Sequence, residues 1–305
     1  DFSFNSSKTL QPLVVENINK GNWIVNFETA PTFVKEPEGA IYIYKSDNND
    51  LVDSISVNDE TLVTNYTQNG SLQTINVKDQ LIVIEDNKLV VVPHKTADGQ
   101  SKLEPDTLYY AKIPEGILKD YHANKLYFKT PIAPTITDNT IDVGPDGDFY
   151  TIQSAFDYIK SIDSSDDWTI NVAPGKYHEH LSYYGNASVT LVGSESEYGE
   201  DTYVYWKNNN AWNNNTRLRA NFLWQGKNLT LKNITFKSTF LRSVDGTTGN
   251  DSNETFYFDS TSNLLVYNCS FLGHQDTILL GNKGGRAWFY KSLIEGDVDY
   301  IWGYI

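Results

Sequence analysis

The chain has 305 residues, 39% hydrophobic and 13% aromatic, which supplies a large buried core and is too apolar for a disordered polymer. Its formal charge of −15 repels polyanions and no Lys/Arg run offsets it, so nucleic-acid partners are excluded. The lone cysteine, Cys269, rules out an intramolecular disulfide, and no apolar run nears the ~20 residues of a membrane span.

The sequence has no basic segment followed by an apolar stretch, so any signal peptide is expected to be already removed. The absence of Met points either to an unusual composition or to a stretch of a longer polypeptide.

Residues 11–130 carry short alternating runs, clearest at Trp23–Phe27, Ala40–Tyr44, Leu81–Ile84 and Lys88–Pro93. Asp47-Asn48-Asn49-Asp50 and Asp86-Asn87 read as the turns between such strands. This spacing predicts an antiparallel sandwich. The run from Leu103 to Gly116, with Leu118-Lys119-Asp120, resembles the closing strands of bacterial immunoglobulin-like modules, which commonly precede secreted carbohydrate enzymes. Nothing in this part suggests chemistry, and a spacer or docking role is expected.

Pro131-Ile132-Ala133-Pro134 favours an extended linker, because each proline restricts the residue before it. The expected division is therefore an accessory β-sandwich over 1–134 and a second domain over 135–305. Residues 149–160 place apolar side chains at helical spacing. Strand-like runs then recur at Trp168–Val172, Ser188–Val192, Asn228–Phe236, Thr255–Phe258, Leu264–Phe271, Ala287–Ile294 and Val298–Trp302. Apolar strands on a loose repeat of roughly 20–30 residues, with unequal loops, predict a right-handed parallel β-helix, the helix capping its first coil. The fold class is thus all-β. Cys269, inside one of these runs, reads as a buried structural thiol.

Two long loops are polar. In residues 206–215, Trp206 and Trp212 sit among asparagines; such side chains suit sugar rings, although a plain surface loop fits as well. The acid spacing of residues 244–254 does not match a Ca²⁺ loop and reads as a flexible rim. His178 and His180 flank Glu179 and hint at a metal, but no third ligand lies nearby, so no metal site is assigned and Glu179 is taken as a structural hydrogen-bonding residue.

The strongest feature is Gly273-His274-Gln275-Asp276-Thr277 followed by Val298-Asp299-Tyr300-Ile301-Trp302-Gly303. Two carboxylates held close cannot both ionise freely: one is driven toward the acid form and the other stays anionic. Strand alternation would send Gln275 and Asp276 to opposite faces, so a bulge or coil corner, eased by Gly273, is expected there.

These segments resemble the pectin methylesterases (carbohydrate esterase family 8). Gly147–Ala155, Pro174–Glu179, Asn228–Phe236, Tyr267–Thr277 and Ile294–Gly303 follow the order of that family's motifs. The resemblance implies Asp299 as nucleophile, Asp276 as general acid/base and Gln275 as the amide that stabilises the oxyanion. It also suggests Trp302, Tyr300, His274 and Trp212 as substrate contacts. It implies methylated pectin as partner, no cofactor, a monomer, and a secreted, cell-surface or periplasmic location, in a bacterium. Two departures stand out. The family's second Gln falls on Asn253 or Glu254, and its Leu-Gly-Arg-Pro-Trp motif, expected several coils after Gly303, does not occur before Ile305. A fragment of a longer chain is the expected explanation. Other readings of the same fold are a polygalacturonase or lyase, or an inactive polysaccharide-binding protein.

Overall fold

The structure, a computed structural model, describes residues 12–17, 21–58, 61–69, 71–78, 80–97, 99–122, 125–246, 251–281 and 284–304. The chain forms two compact units, one of residues 1–62 and 80–133, the other of 63–79 and 134–305.

The first unit holds two four-stranded antiparallel sheets. One runs in the order Pro12–Asn17, Trp23–Phe27, Lys88–Val91, Ile82–Glu85, and the other Lys125–Lys129, Leu108–Lys112, Ala40–Lys45, Leu51–Ser56. Trp23 of the first sheet meets Phe128 of the second at 6.0 Å between ring centroids, and Phe128 stacks on Tyr109. Period-2 alternation puts Ile41 and Ile43 inward, both fully buried.

Among the described residues of this unit, a charged group is buried. Asp53, 3% exposed, accepts from the backbone N–H of His94 at 2.8 Å and from Lys102 Nζ at 3.3 Å, and lies 2.8 Å from His94 Nδ1. Burial alone would raise its carboxyl, but the His94 ring, the His94 backbone N–H and the Lys102 charge together hold it below its ordinary 3.8. A folded-state pKa below the unfolded value gives stability that is present above the unfolded pKa and is lost as pH falls through the folded one. The urea midpoint of this unit is therefore expected to drop between about pH 5 and about pH 3. Asp53→Asn should flatten that drop; an unchanged pH dependence would acquit Asp53.

The second unit is a parallel β-helix with three sheets. The first, six-stranded, is Thr140–Val143, Asp167–Val172, Ser188–Val192, Leu229–Lys232, Asn263–Tyr267 and Arg286–Tyr290. The second is Gly175–His178, Thr202–Trp206, Thr235–Ser238, Ser270–Leu272 and Leu293–Glu295. The third is Leu181–Tyr183, Phe222–Trp224, Phe256–Phe258, Ile278–Leu280 and Ile301–Gly303. Register stacks like on like through the interior: Ile170 on Leu191, Leu191 on Leu231, Leu231 on Val266. Phe222–Phe256 and Phe236–Phe271 ring pairs, at 5.0 and 5.5 Å, fill the space between sheets. Cys269 is fully buried here and its thiol is pushed up to about 12 by desolvation, which fits a structural role.

Three runs expected as single strands are each broken in two. Asn233, Asn268 and Lys291 take φ of 57°, 52° and 48°, turning the chain from the first sheet to the second. They follow Lys232, Tyr267 and Tyr290, which are in register, so the corners stack coil upon coil. Asn tolerates this left-handed conformation, and Asn268 Nδ2 donates to Asn233 Oδ1 at 2.8 Å, a side-chain ladder along the corner.

The helix spans Ile152–Ser161, and its buried Ile152, Ala155, Phe156 and Ile159 cover the first coil. Phe156 lies within 6.0 Å of the Tyr183, Phe222 and Trp224 rings. Thr151 caps it, and the Glu179 carboxylate accepts from the first-turn N–H groups of Ile152 and Gln153 at 3.0 and 2.8 Å. Glu179 is thus a structural anion. On the outer face of the third sheet, Tyr66 packs against Leu223, Tyr257 and Leu279. The hairpin strand that carries it is pinned by Gln225, whose amide both donates to and accepts from the Thr67 backbone.

Candidate active site

Asp276 and Asp299 occupy equivalent corners of consecutive coils. Gln275 pairs with Val298 and Ile278 with Ile301, so the same offset sets Asp276 under Asp299, about 4.8 Å apart along the strand-to-strand direction. Both residues are left-handed, with φ of 67° and 52°. The corner expected beside Gln275 is therefore Asp276 itself. Gly273 serves otherwise: a Cβ there would stand 2.7 Å from Thr255 Oγ1. This conformation suits Asp because its short polar side chain bonds locally, and here it turns both carboxylates to one edge of the third sheet.

The two environments differ. Asp276 is 8% exposed, whereas Asp299 is exposed. Burial pushes the Asp276 carboxyl above the ordinary range and the Asp299 charge adds to this, against the Ser252 hydroxyl and the Arg219 and Arg242 charges. One carboxyl drawn toward the acid form beside one open to solvent is the asymmetry that acid/base chemistry needs.

Gln275 accepts from Arg242 Nη2 at 2.6 Å through Oε1 and donates from Nε2 to Ser252 Oγ at 3.1 Å. Arg242 and Ser252 thus fix the orientation of this amide, with Ser252 taking one of its two N–H bonds. Asn253 lies one coil below Gln275, its N–H donating to the Gln275 carbonyl at 3.1 Å. Its amide is spent: Oδ1 accepts from Ser238, and Nδ2 donates to the Arg219 carbonyl at 2.7 Å. Of the two positions where the family pattern would set a second Gln, Asn253 thus holds a shorter amide that is turned inward.

Beneath Asp276 lies a pair that sequence reasoning did not single out. Phe256 pairs with Ile278, so Glu254 stands one coil below Asp276. Glu254 is fully buried, and Arg219 grips it by Nε to Oε2 at 2.9 Å and Nη2 to Oε1 at 2.7 Å. Nη1 reaches Asn210 at 2.8 Å, and Nη2 also approaches Asp276 Oδ2 at 3.5 Å. The signal was in the sequence only as Glu254 standing where an amide was expected.

The remaining expected contacts divide. His274 lies 3.5 Å from Asp297 through Nδ1, and Tyr300 is 50% exposed beside Asp299. Trp302 packs on the outer face with Leu279 and Tyr257. Trp212 lies under Lys207, whose ammonium is 5.7 Å from its ring, and its loop touches the site through Asn210. That loop is no bland surface feature: Asn208 and Asn209 are fully buried and Asn213 nearly so, bonded to one another and to Leu218. Trp206 is 1% exposed against the His178 and His180 rings, so it cannot stack on a sugar. His180 Nε2 lies 3.0 Å from the Ala220 carbonyl, which commits it to the backbone. Of the rim at 244–254, residues 247–250 lie outside the described residues.

The Pectinesterase family model matches residues 140–304, more than half of the sequence. The chain belongs to the pectinesterase family. Probable pectinesterase A of Neosartorya fischeri is 29% identical over 167 residues, covering 54% of this chain and 49% of that protein. Putative pectinesterase 14 of Arabidopsis thaliana is 31% identical over 158 residues, covering 52% and 45%. A crystal structure of the pectin methylesterase from Aspergillus niger aligns with a TM-score of 0.47 and 24% identity, over 55% of this chain and 54% of that one. The chain thus spans about half the length of the curated pectinesterases it matches, and the family-model match takes in both stacked aspartates.

Proposed function

We propose that this pectinesterase-family protein hydrolyses C6 methyl esters of polygalacturonate, releasing methanol outside the cell. The observation that carries the reading is the pair of stacked left-handed aspartates, one shielded and drawn toward its acid form, the other solvent-facing.

Asp299 attacks the ester carbonyl and forms a tetrahedral oxyanion, to which Gln275 donates its other amide hydrogen. As the intermediate collapses, the C–O bond to the methoxy group breaks and Asp276 gives up its proton to the departing methanol. The galacturonyl group is then an anhydride on Asp299. Asp276, now anionic, takes a proton from water; the hydroxide oxygen attacks the acyl carbon, and Asp299 leaves as carboxylate. Tyr300, half exposed, follows Asp299 directly in the chain and Trp302 lies on the strand Ile301–Gly303 that starts there; aromatic faces suit a sugar ring.

Product analysis tests the reaction class. The intact protein incubated with highly methylated pectin is expected to yield methanol without new reducing ends and without unsaturated uronides. Reducing ends or unsaturated products in place of methanol would overturn the esterase reading in favour of depolymerisation. Binding with no product would indicate a polysaccharide-binding protein.

A further inference from the structure

Three carboxylates, Glu254, Asp276 and Asp299, stack at one corner over three coils, and the first is fully buried. Such a column is self-repelling, and one guanidinium lies between its two lower members. Arg219, 7% exposed, spends its fork on Glu254 and keeps a single 3.5 Å approach to Asp276. A guanidinium does not deprotonate, so the pair with Glu254 leaves it with its charge matched whatever Asp276 does.

Among the described residues, further polar and charged groups act on Asp276. Asp299 faces it from the coil above, and the Ser252 hydroxyl bonds to it. Arg242 acts on it from the short helix Arg242–Asp245, but is itself held by Asp251 at 3.9 Å and by Asp297 at 3.2 Å. Asp297 is also 3.5 Å from the His274 ring.

We propose that the Arg219–Glu254 pair is a shared counter-ion for Asp276, a positioning pair that lets this shielded carboxyl gain and lose a proton without orphaning a buried charge. It rests on the acid/base reading of Asp276. With Asp276 protonated, Glu254 alone balances Arg219. When Asp276 becomes anionic, the same Nη2 that already binds Glu254 is in place to stabilise it, with no side chain having to move. An arginine paired to Asp276 alone would instead hold that carboxyl ionised and unfit to donate.

The test is the titration of Asp276 itself, followed through its ¹³C carboxyl resonance in the intact protein, with the Asp276→Asn spectrum assigning the signal. Glu254→Gln keeps the shape, removes one negative neighbour and frees the fork. The Asp276 midpoint is expected to fall by about one pH unit. The double variant Arg219→Gln with Glu254→Gln leaves two neutral amides and no unpaired buried charge; its midpoint is expected to rise above that of the native protein. A pair that merely holds the corner together would leave both midpoints where they were or move them the same way, and either result overturns the proposal. The double variant alone decides the matter if the single one does not fold. The alkaline limb of methanol release should follow the same two shifts. Shifted titrations with no methanol release in the native protein would sink the esterase reading and leave the counter-ion intact; normal methanol release with unmoved titrations would do the reverse.

Discussion

Asp299→Asn is expected to lower methanol release from methylated pectin on the order of 10⁴-fold, the scale seen when one member of a covalent catalytic unit is lost. An amide cannot form the acyl anhydride, so the loss falls on turnover. The substitution is otherwise mild. Residue 299 sits at φ 52°, and Asn occupies the same left-handed conformation at 233 and 268 of this chain, so the corner survives. Thermal unfolding and pectin binding should therefore stay close to native while product formation falls by that factor. Asp276→Asn is expected to cost about 10²–10⁴-fold, since proton transfer is lost but attack is not. Undiminished methanol release from the Asp299 variant would remove the nucleophile assignment; undiminished release from the Asp276 variant would move proton transfer elsewhere.

Arg219→Ala should be the most destabilising change at the site, by about 3–5 kcal/mol at neutral pH. Glu254 has no exposed surface and two short bonds to that one guanidinium. Removing the guanidinium leaves a carboxylate in the wall of the β-helix with nothing to balance it and no access to water. Against a typical domain stability of roughly 5–15 kcal/mol, this is a loss large enough to broaden or abolish the folded baseline at 37 °C. Urea denaturation measures it. Adding Glu254→Gln to Arg219→Ala should restore a good part of the loss, because the orphaned charge goes with it. Equal destabilisation of the single and double variants would mean that Arg219 acts through packing alone.

The two predictions separate what was readable from what was not. That Asp276 and Asp299 stand on neighbouring coils was legible because each sits in a short, specific motif. The need for a corner beside Gln275 was legible too, because strand alternation forbids neighbouring side chains from sharing a face. That Asp276 is itself the corner was not. Left-handed φ at a non-glycine residue is a local minority state, selected by stacking against the same state one coil away, and no window of sequence contains both coils. The same reasoning explains why Asn228–Phe236, Leu264–Phe271 and Ala287–Ile294 each read as one strand and are each two.

Sequence by itself determined the alternation of apolar residues, the antiparallel character of the first unit, the β-helix of the second, and the family motifs around residues 276 and 299. Those are properties of residue order at short range, where side-chain period and turn preference dominate. The tertiary structure decided which residues stand above one another. Glu254, Asp276 and Asp299 are separated by 22 and 23 positions and become a column only because each coil closes at that length. Arg219 reaches them from 35 residues before Glu254, and Asn210 of the Asn-rich loop accepts from its remaining nitrogen. Charge balance at a buried corner depends on distances between coils, and those exist only once the chain has wound.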